Sequence, residues 1–334
     1  MPPLSPHSIV PFPIRPFHYR VRWRPRAWRP GEHAAAVTGE GDAFRGERLL
    51  TEASQARQLS VAASIRDPLR RLWAREYQQR AAIDVVVVAD VSRSMRIGAE
   101  VGLCRALGDL VASAALSAFR AGDRIGVVCA SALIDPHLVV APTRLVQPVF
   151  ALAQHLRDMG RPPSLRRPGL ESVDGLLDAW RLLPARRCLV FVASDFHAPI
   201  ATWTRIFGTL RHHDVVPIVL ADGLSLPDLP RWGLVNLHDA ESGQSRPLLM
   251  RASLQRRLKA SVAQRRHELS AMFEGLGLRP SYLREPFDPA QLTEYFHGAA
   301  IRGNRRSMPP PTPASEPAAG STRAPHQLVL PATR

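Results

Sequence analysis

Four consecutive valines run into Ala89 and Asp90 and then into a short turn, so that residues 85–96 read VVVVADVSRSMR. Asp90, Ser92 and Ser94 thus set one carboxylate and two hydroxyls at alternate positions directly after an apolar run. Alternate spacing in a turn lets Ser92 and Ser94 face the same cation. Carboxylate and hydroxyl oxygens are hard donors that suit Mg²⁺, Mn²⁺ or Ca²⁺ rather than zinc. A second carboxylate, Asp195 in FVASDF, closes another apolar run about a hundred residues later. Plainer readings stand beside this one: a serine before a helix is often an N-cap, and an aspartate at a strand end is often a turn residue.

The elements around these residues decide whether they meet. IDVVVVAD (83–90), RIGVVCAS (124–131), RCLVFVASD (187–195) and DVVPIVLAD (214–222) are near-continuous Val/Ile/Leu runs, as expected of parallel strands covered on both faces. Helical patterns lie between and after them, at about 98–121, 143–158, 171–183, 200–212 and 250–275. Strand alternating with helix predicts an α/β fold with a doubly wound, mostly parallel sheet. In such sheets ligands gather beyond the carboxyl ends of the strands at the switch point, where the first and fourth strands are neighbours. Asp90 and Asp195 would then share one crevice. The helix after Ser94 turns a positive pole toward it. Two aspartates are therefore needed to hold a cation, and an incoming carboxylate would meet both metal and pole.

The rest of the chain sets bounds on function. Residues 1–13 are expected to be disordered, 14–80 to form a small β-rich module, 81–300 the α/β domain, and 301–334, rich in Pro, Ala and Ser, a disordered tail. Basic residues outnumber acidic ones by 44 to 29, a net charge of +15 that permits an anionic partner without choosing it. Lys259 is the only lysine, and no GxxxxGK[ST] motif occurs. Cys104, Cys129 and Cys188 sit singly in apolar sequence, which predicts core residues of a reduced compartment. Prolines interrupt the N-terminal apolar residues and no long uncharged apolar window occurs, so a cytoplasmic protein without a membrane span is expected.

DxSxSM together with the later SDF resembles a von Willebrand factor A domain. Its metal-ion-dependent adhesion site pairs DxSxS after the first strand with a Thr in a second loop and an Asp after the fourth strand. More narrowly, RQLSVAASIRDPLRRLWAREYQQRAAIDVVVVADVSRSM, LVFVASDF and YLREPFDPAQLTEYF are similar to bacterial von Willebrand A-like proteins encoded beside MoxR-type AAA+ ATPases. Within these the likeness is to the MxaS group of methanol-oxidation gene clusters, over roughly residues 15–300. The resemblance implies that Ser92 and Ser94 ligate Mg²⁺ (or Mn²⁺ or Ca²⁺) directly, while Asp90 and Asp195 act mainly through water. At the second-loop threonine position, in RRPGLESVDGLL, this chain has Leu170, with Glu171 or Ser172 as substitutes. The implied role is a non-enzymatic adaptor or co-chaperone whose metal takes an Asp or Glu from a partner. It would work with a MoxR-type ATPase in maturing a client or inserting its cofactor, methanol dehydrogenase being one such client.

Two other functional classes compete with this one. Arg15, Arg20, Arg22, Arg24, Arg26 and Arg29 interleave with Tyr19, Trp23 and Trp28, a pattern able to hold phosphates and stack bases. On a half-buried strand the same period of two means an aromatic inner face and a basic outer one, so nucleic acid is the alternative and not the expected partner. Hydrolysis is not expected: there is no GxSxG elbow, and His197, near Asp195, reads as a loop residue.

Overall fold

The computed structural model describes residues 14–21, 23–25, 31–39, 43–51, 59–96, 103–159, 172–220, 232–239, 245–283, 286–301 and 327–330. The expected disordered N-terminus, residues 1–13, lies outside them. In chain order the first elements are strands β1 (His33–Gly39) and β2 (Ala43–Leu49), helix α1 (Val61–Arg66) and strand β3 (Trp73–Ala81). β3 pairs antiparallel with both β1 and β2, giving a small sheet of order β1-β3-β2.

The main sheet starts with β4 (Asp84–Asp90), followed by helices α2 (Arg93–Arg96) and α3 (Leu103–Arg120) and by strands β5 (Arg124–Ala130) and β6 (Ile134–Thr143). Helix α4 (Gln147–Met159) and a 3-10 helix (Asp174–Leu182) lead to β7 (Leu189–Ser194), α5 (Ile200–Leu210) and β8 (Asp214–Leu220). A second hairpin, β9 (Gly233–Asp239) with β10 (Ser245–Met250), precedes α6 (Ala252–Gly275), β11 (Ser281–Leu283), α7 (Pro289–Ile301) and β12 (Gln327–Leu330). The six-stranded sheet has the order β11-β8-β7-β4-β5-β6, with only β6 antiparallel. Counted by appearance this is 6-5-4-1-2-3, the doubly wound order, and the sequence expectation for fold class holds.

Strand β4 is buried along its whole length because it is central and covered on both faces. Its side chains divide at period two. Val85, Val87 and Ala89 join the core under α3 and α4, whereas Val86 and Val88 join the core under α5 and α6. Full burial of each such valine contributes about 1.5–3 kcal/mol, which fixes the register and with it the position of both terminal aspartates. Cys104, Cys129 and Cys188 are all buried in the core and form no disulfide with one another.

Two regions differ from expectation. Residues 14–21 and 23–25 form no strand but an irregular segment lying on the main core, where Phe17 packs edge-on to Phe191 at 5.8 Å and Tyr19 to Phe296 at 6.3 Å. The Tyr19 hydroxyl donates to Asp123, which also accepts from His33 Nε2 at 2.7 Å and Ile83 N at 2.8 Å. The Phe17 and Tyr19 rings are thus used for packing, and the Arg187 guanidinium lies over the Trp23 ring at 5.1 Å. Arg22, Arg26, Trp28 and Arg29 lie outside the described residues. The helix expected at 171–183 is a 3-10 helix. Its Gly175 N–H donates to Ser131 O at 2.8 Å, and a Cβ there would lie 2.7 Å from the Leu133 carbonyl carbon, so the backbone is drawn tightly onto the turn after β5. In the expected tail, 301–334, Ile301 ends α7 and β12 pairs parallel with β9; its other residues lie outside the described set. No described helix is long and apolar enough to cross a membrane.

Candidate functional site: paired buried aspartates at the sheet switch point

Parallel pairing of β4 with β7, Ala89 beside Ala193, brings the ends of the two strands together where the winding reverses. Asp90 ends β4, Ser194 ends β7, and Asp195 follows directly. Both carboxylates are buried, Asp90 at 0% and Asp195 at 1% exposure. The residues singled out by spacing therefore converge.

Each oxygen of this cluster can be followed. Asp90 Oδ1 accepts from Ser92 N at 2.8 Å, closing an Asx turn that starts the loop. Asp90 Oδ2 accepts from Ser194 Oγ at 2.6 Å. The same hydroxyl lies 3.4 Å from Asp195 Oδ1 and accepts from Phe196 N at 2.9 Å, so Ser194 ties the two acidic loops together. Asp195 Oδ1 also accepts from His197 N at 3.2 Å. Ser92 and Ser94 hydroxyls lie 3.1 Å apart, Ser92 nearly buried and Ser94 half-buried. Burial, and then the neighbouring Asp195 carboxylate, push the Asp90 carboxyl up to about 7, against the opposing hydrogen bonds from Ser194 and Ser92.

Asp195 Oδ2 has no hydrogen-bond partner among the described residues, although it is buried. A buried carboxylate oxygen without a donor is costly, and a second carboxylate nearby adds to that cost. A hard cation removes both penalties. The donor set of two carboxylates and two hydroxyls fits such an ion, and it does not fit zinc. No group of three or more His, Cys, Asp or Glu side chains converges among the described residues, so the hydroxyls are needed to complete any coordination shell here.

Of the second-loop substitutes only Ser172 is among the described residues. Ser172 is half-buried; its Oγ donates to Asp174 Oδ2 at 2.7 Å and accepts from Asp174 N at 3.0 Å, a local turn that opens the 3-10 helix. Leu170 and Glu171 lie outside the described residues. Sequence reasoning missed Ser194, whose signal was its place immediately before Asp195. It also missed Arg265 of α6, which no spacing rule connects to residue 195.

Phe196 has φ +56°, in the left-handed region, and is fully buried. For a non-glycine residue this conformation costs on the order of 1–2 kcal/mol. Its ring is held by Trp203 at 4.4 Å, Phe273 at 5.4 Å and Phe207 at 6.2 Å. The residue following the acidic one is thus strained and locked, as at sites where backbone placement serves function.

The family model described as "Protein of unknown function DUF58" matches residues 56–268, which include all four site residues. Curated proteins give no match. Among solved structures, an aerotolerance-related membrane protein from Bacteroides fragilis is 14% identical, with TM-score 0.37 over 65% of this chain and 98% of that one. A von Willebrand factor type A protein from Catenulispora acidiphila is 14% identical, with TM-score 0.30 over 67% of this chain and 43% of that one. The PilB minor pilin from Streptococcus sanguinis is 11% identical, with TM-score 0.35 over 68% and 64%.

Proposed function

The chain belongs to the family described as protein of unknown function DUF58, and from its strand-end acidic pair we propose that it is a non-enzymatic, metal-dependent protein-interaction adaptor. The observation that carries this reading is Asp195 Oδ2, buried and unpartnered beside a second buried carboxylate. Ser92 and Ser94 hydroxyls with the Asp90 and Asp195 carboxylates would hold Mg²⁺, Mn²⁺ or Ca²⁺. When bound, such an ion supplies a positive position open to a carboxylate from outside. The chain's own residues prepare that position. Ser194 fixes the Asp90 carboxylate, the Asx turn presents Ser92, and the backbone N–H of His197 orients Asp195.

The partner class follows from the DxSxSM and SDF resemblance: a MoxR-type AAA+ ATPase and a protein client that offers an Asp or Glu, methanol dehydrogenase being a candidate client of an MxaS-like role in its maturation. Mixing the purified chain with its cognate MoxR-type ATPase tests this. The complex is expected in Mg²⁺, and it is expected to be lost in EDTA or with Asp195→Ala while moderate salt leaves it intact, since a coordinated contact is screened less than exposed charge pairs. Association unaffected by EDTA and Asp195→Ala but abolished by salt would overturn the reading in favour of docking through the arginine-rich surface.

A further inference from the structure

Helix α6 is unusual in where it spends its burial: only Leu269, Met272 and Phe273, all in its last two turns, are buried. Just before them stands Arg265, whose side chain is only 21% exposed on an otherwise polar stretch. Its Nη2 donates to Phe196 O at 2.9 Å and His197 O at 3.3 Å, and also to Ala198 O. The two N–H bonds of one guanidinium nitrogen, one of them shared between two acceptors, therefore gather three consecutive carbonyls of the loop that carries Asp195. Those carbonyls lie between β7 and α5, where neither the strand ladder nor the helix supplies a donor.

The same loop holds the left-handed Phe196, and the two features belong together. Turning Phe196 to positive φ points its carbonyl and the next two toward α6, while its ring enters the cluster of Trp203, Phe207 and Phe273. Its N–H stays with Ser194 Oγ, the hydroxyl that also holds Asp90. Ring, N–H and carbonyl are thus anchored by residues of α5, β7 and α6, and α6 takes part in two of the three anchors, through Phe273 and Arg265. Arg265 also interacts electrostatically with Asp195, and it keeps a looser contact with Glu268 at 3.8 Å.

We propose that Arg265 is a positioning residue: by gathering the carbonyls of residues 196–198 it holds Phe196 in its left-handed conformation and aims the unpartnered Asp195 oxygen into the crevice. A lysine at this place has three rotatable donors on a flexible stem in place of a fixed planar fork, so it holds the same carbonyls with less defined geometry. The affinity part of this inference rests on the metal reading above; the loop-holding part does not.

The experiment compares wild type, Arg265→Ala, Arg265→Lys and Glu268→Gln by hydrogen exchange of the loop amides and by Mn²⁺ titration. Arg265→Ala is expected to speed exchange at the amides of residues 196–198 at least tenfold while exchange in β4 and β7 is unchanged, and to weaken Mn²⁺ binding at least tenfold. Arg265→Lys should recover part of both, and Glu268→Gln should change neither. Wild type that takes up no Mn²⁺ would sink the metal reading, and faster loop exchange in Arg265→Ala would still uphold the clamp. Loop exchange unaltered by Arg265→Ala would overturn the clamp, whatever happens to Mn²⁺. Acceleration spread equally over β4 and β7 would also overturn it, because Arg265 would then be a general stabiliser.

Discussion

At the scale of single residues, the site is built against its own stability. Asp90 is pushed up to about 7 by burial first and by Asp195 second, and only the Ser194 and Ser92 hydrogen bonds oppose this. Asp195→Asn removes one of the two charges while keeping the side-chain oxygen that accepts from His197 N. It is predicted to raise the melting temperature of the metal-free protein and to abolish stabilisation by Mn²⁺. Scanning calorimetry in EDTA and in Mn²⁺ reads both, and a metal-free variant that melts lower than wild type would show that lost hydrogen bonding outweighs relieved repulsion. Ser194→Ala should act in the other direction. It leaves Asp90 Oδ2 without its donor and costs about 1–3 kcal/mol, with a fall in melting temperature of about 2–4 °C per kcal/mol for a domain of this size. Asp90, Ser92, Ser94 and Asp195 were legible because alternation and strand ends are sequence properties. Ser194 was not, because its role is set by the partner strand: it faces Asp90 only once β7 lies beside β4.

At the scale of elements, β4 carries an aspartate at each end, and the two behave oppositely. Asp84, at the start of the strand, is fully buried yet receives two hydrogen bonds each from Arg124, at 2.6 and 2.8 Å, and from Arg186, at 2.6 and 2.7 Å. Burial pushes its carboxyl up, but the two guanidiniums together outweigh this and hold it below the ordinary aspartate value. A depressed folded-state value contributes stability that is complete above the unfolded-state value and is lost as pH falls toward the folded one. Asp84→Asn is therefore predicted to cost about 3–5 kcal/mol near neutral pH, the cost of breaking a buried ion pair, and progressively less below about pH 4. Urea titrations of both proteins at neutral and acid pH decide it; a difference that does not shrink in acid would mean that packing, and not charge, is lost. The four buried parallel strands were legible from their unbroken apolar runs. Strand β6 was not, because Pro136 and Pro142 break its pattern; it tolerates them as the antiparallel edge strand, and Gly126 of β5 makes room for the Pro142 ring.

At the scale of the whole molecule, the doubly wound sheet separates two poles. One end holds Asp84 and Asp123 in saturated polar networks with Arg124, Arg186, Tyr19 and His33, and the other leaves an acidic oxygen unanswered. The proposed cation site rests on that asymmetry. The fold class was legible because strand and helix alternate through the chain. The association of β12 with β9 was not, since a four-residue strand near the C-terminus has no signal apart from its distant partner. Truncation after Ile301 is predicted to leave the main thermal transition within about 5 °C and to speed amide exchange in β9 alone, because the six-stranded sheet contains neither β9 nor β12. A larger shift would place the hairpin sheet in the same cooperative unit as the main domain. The central claim is that Asp90, Ser92, Ser94 and Asp195 form one cation site, and isothermal titration of Mn²⁺ into wild type and an Asp90→Ala/Ser92→Ala double variant tests it most directly. The account predicts a single site in wild type and none in the variant; equal uptake by the two proteins would contradict it.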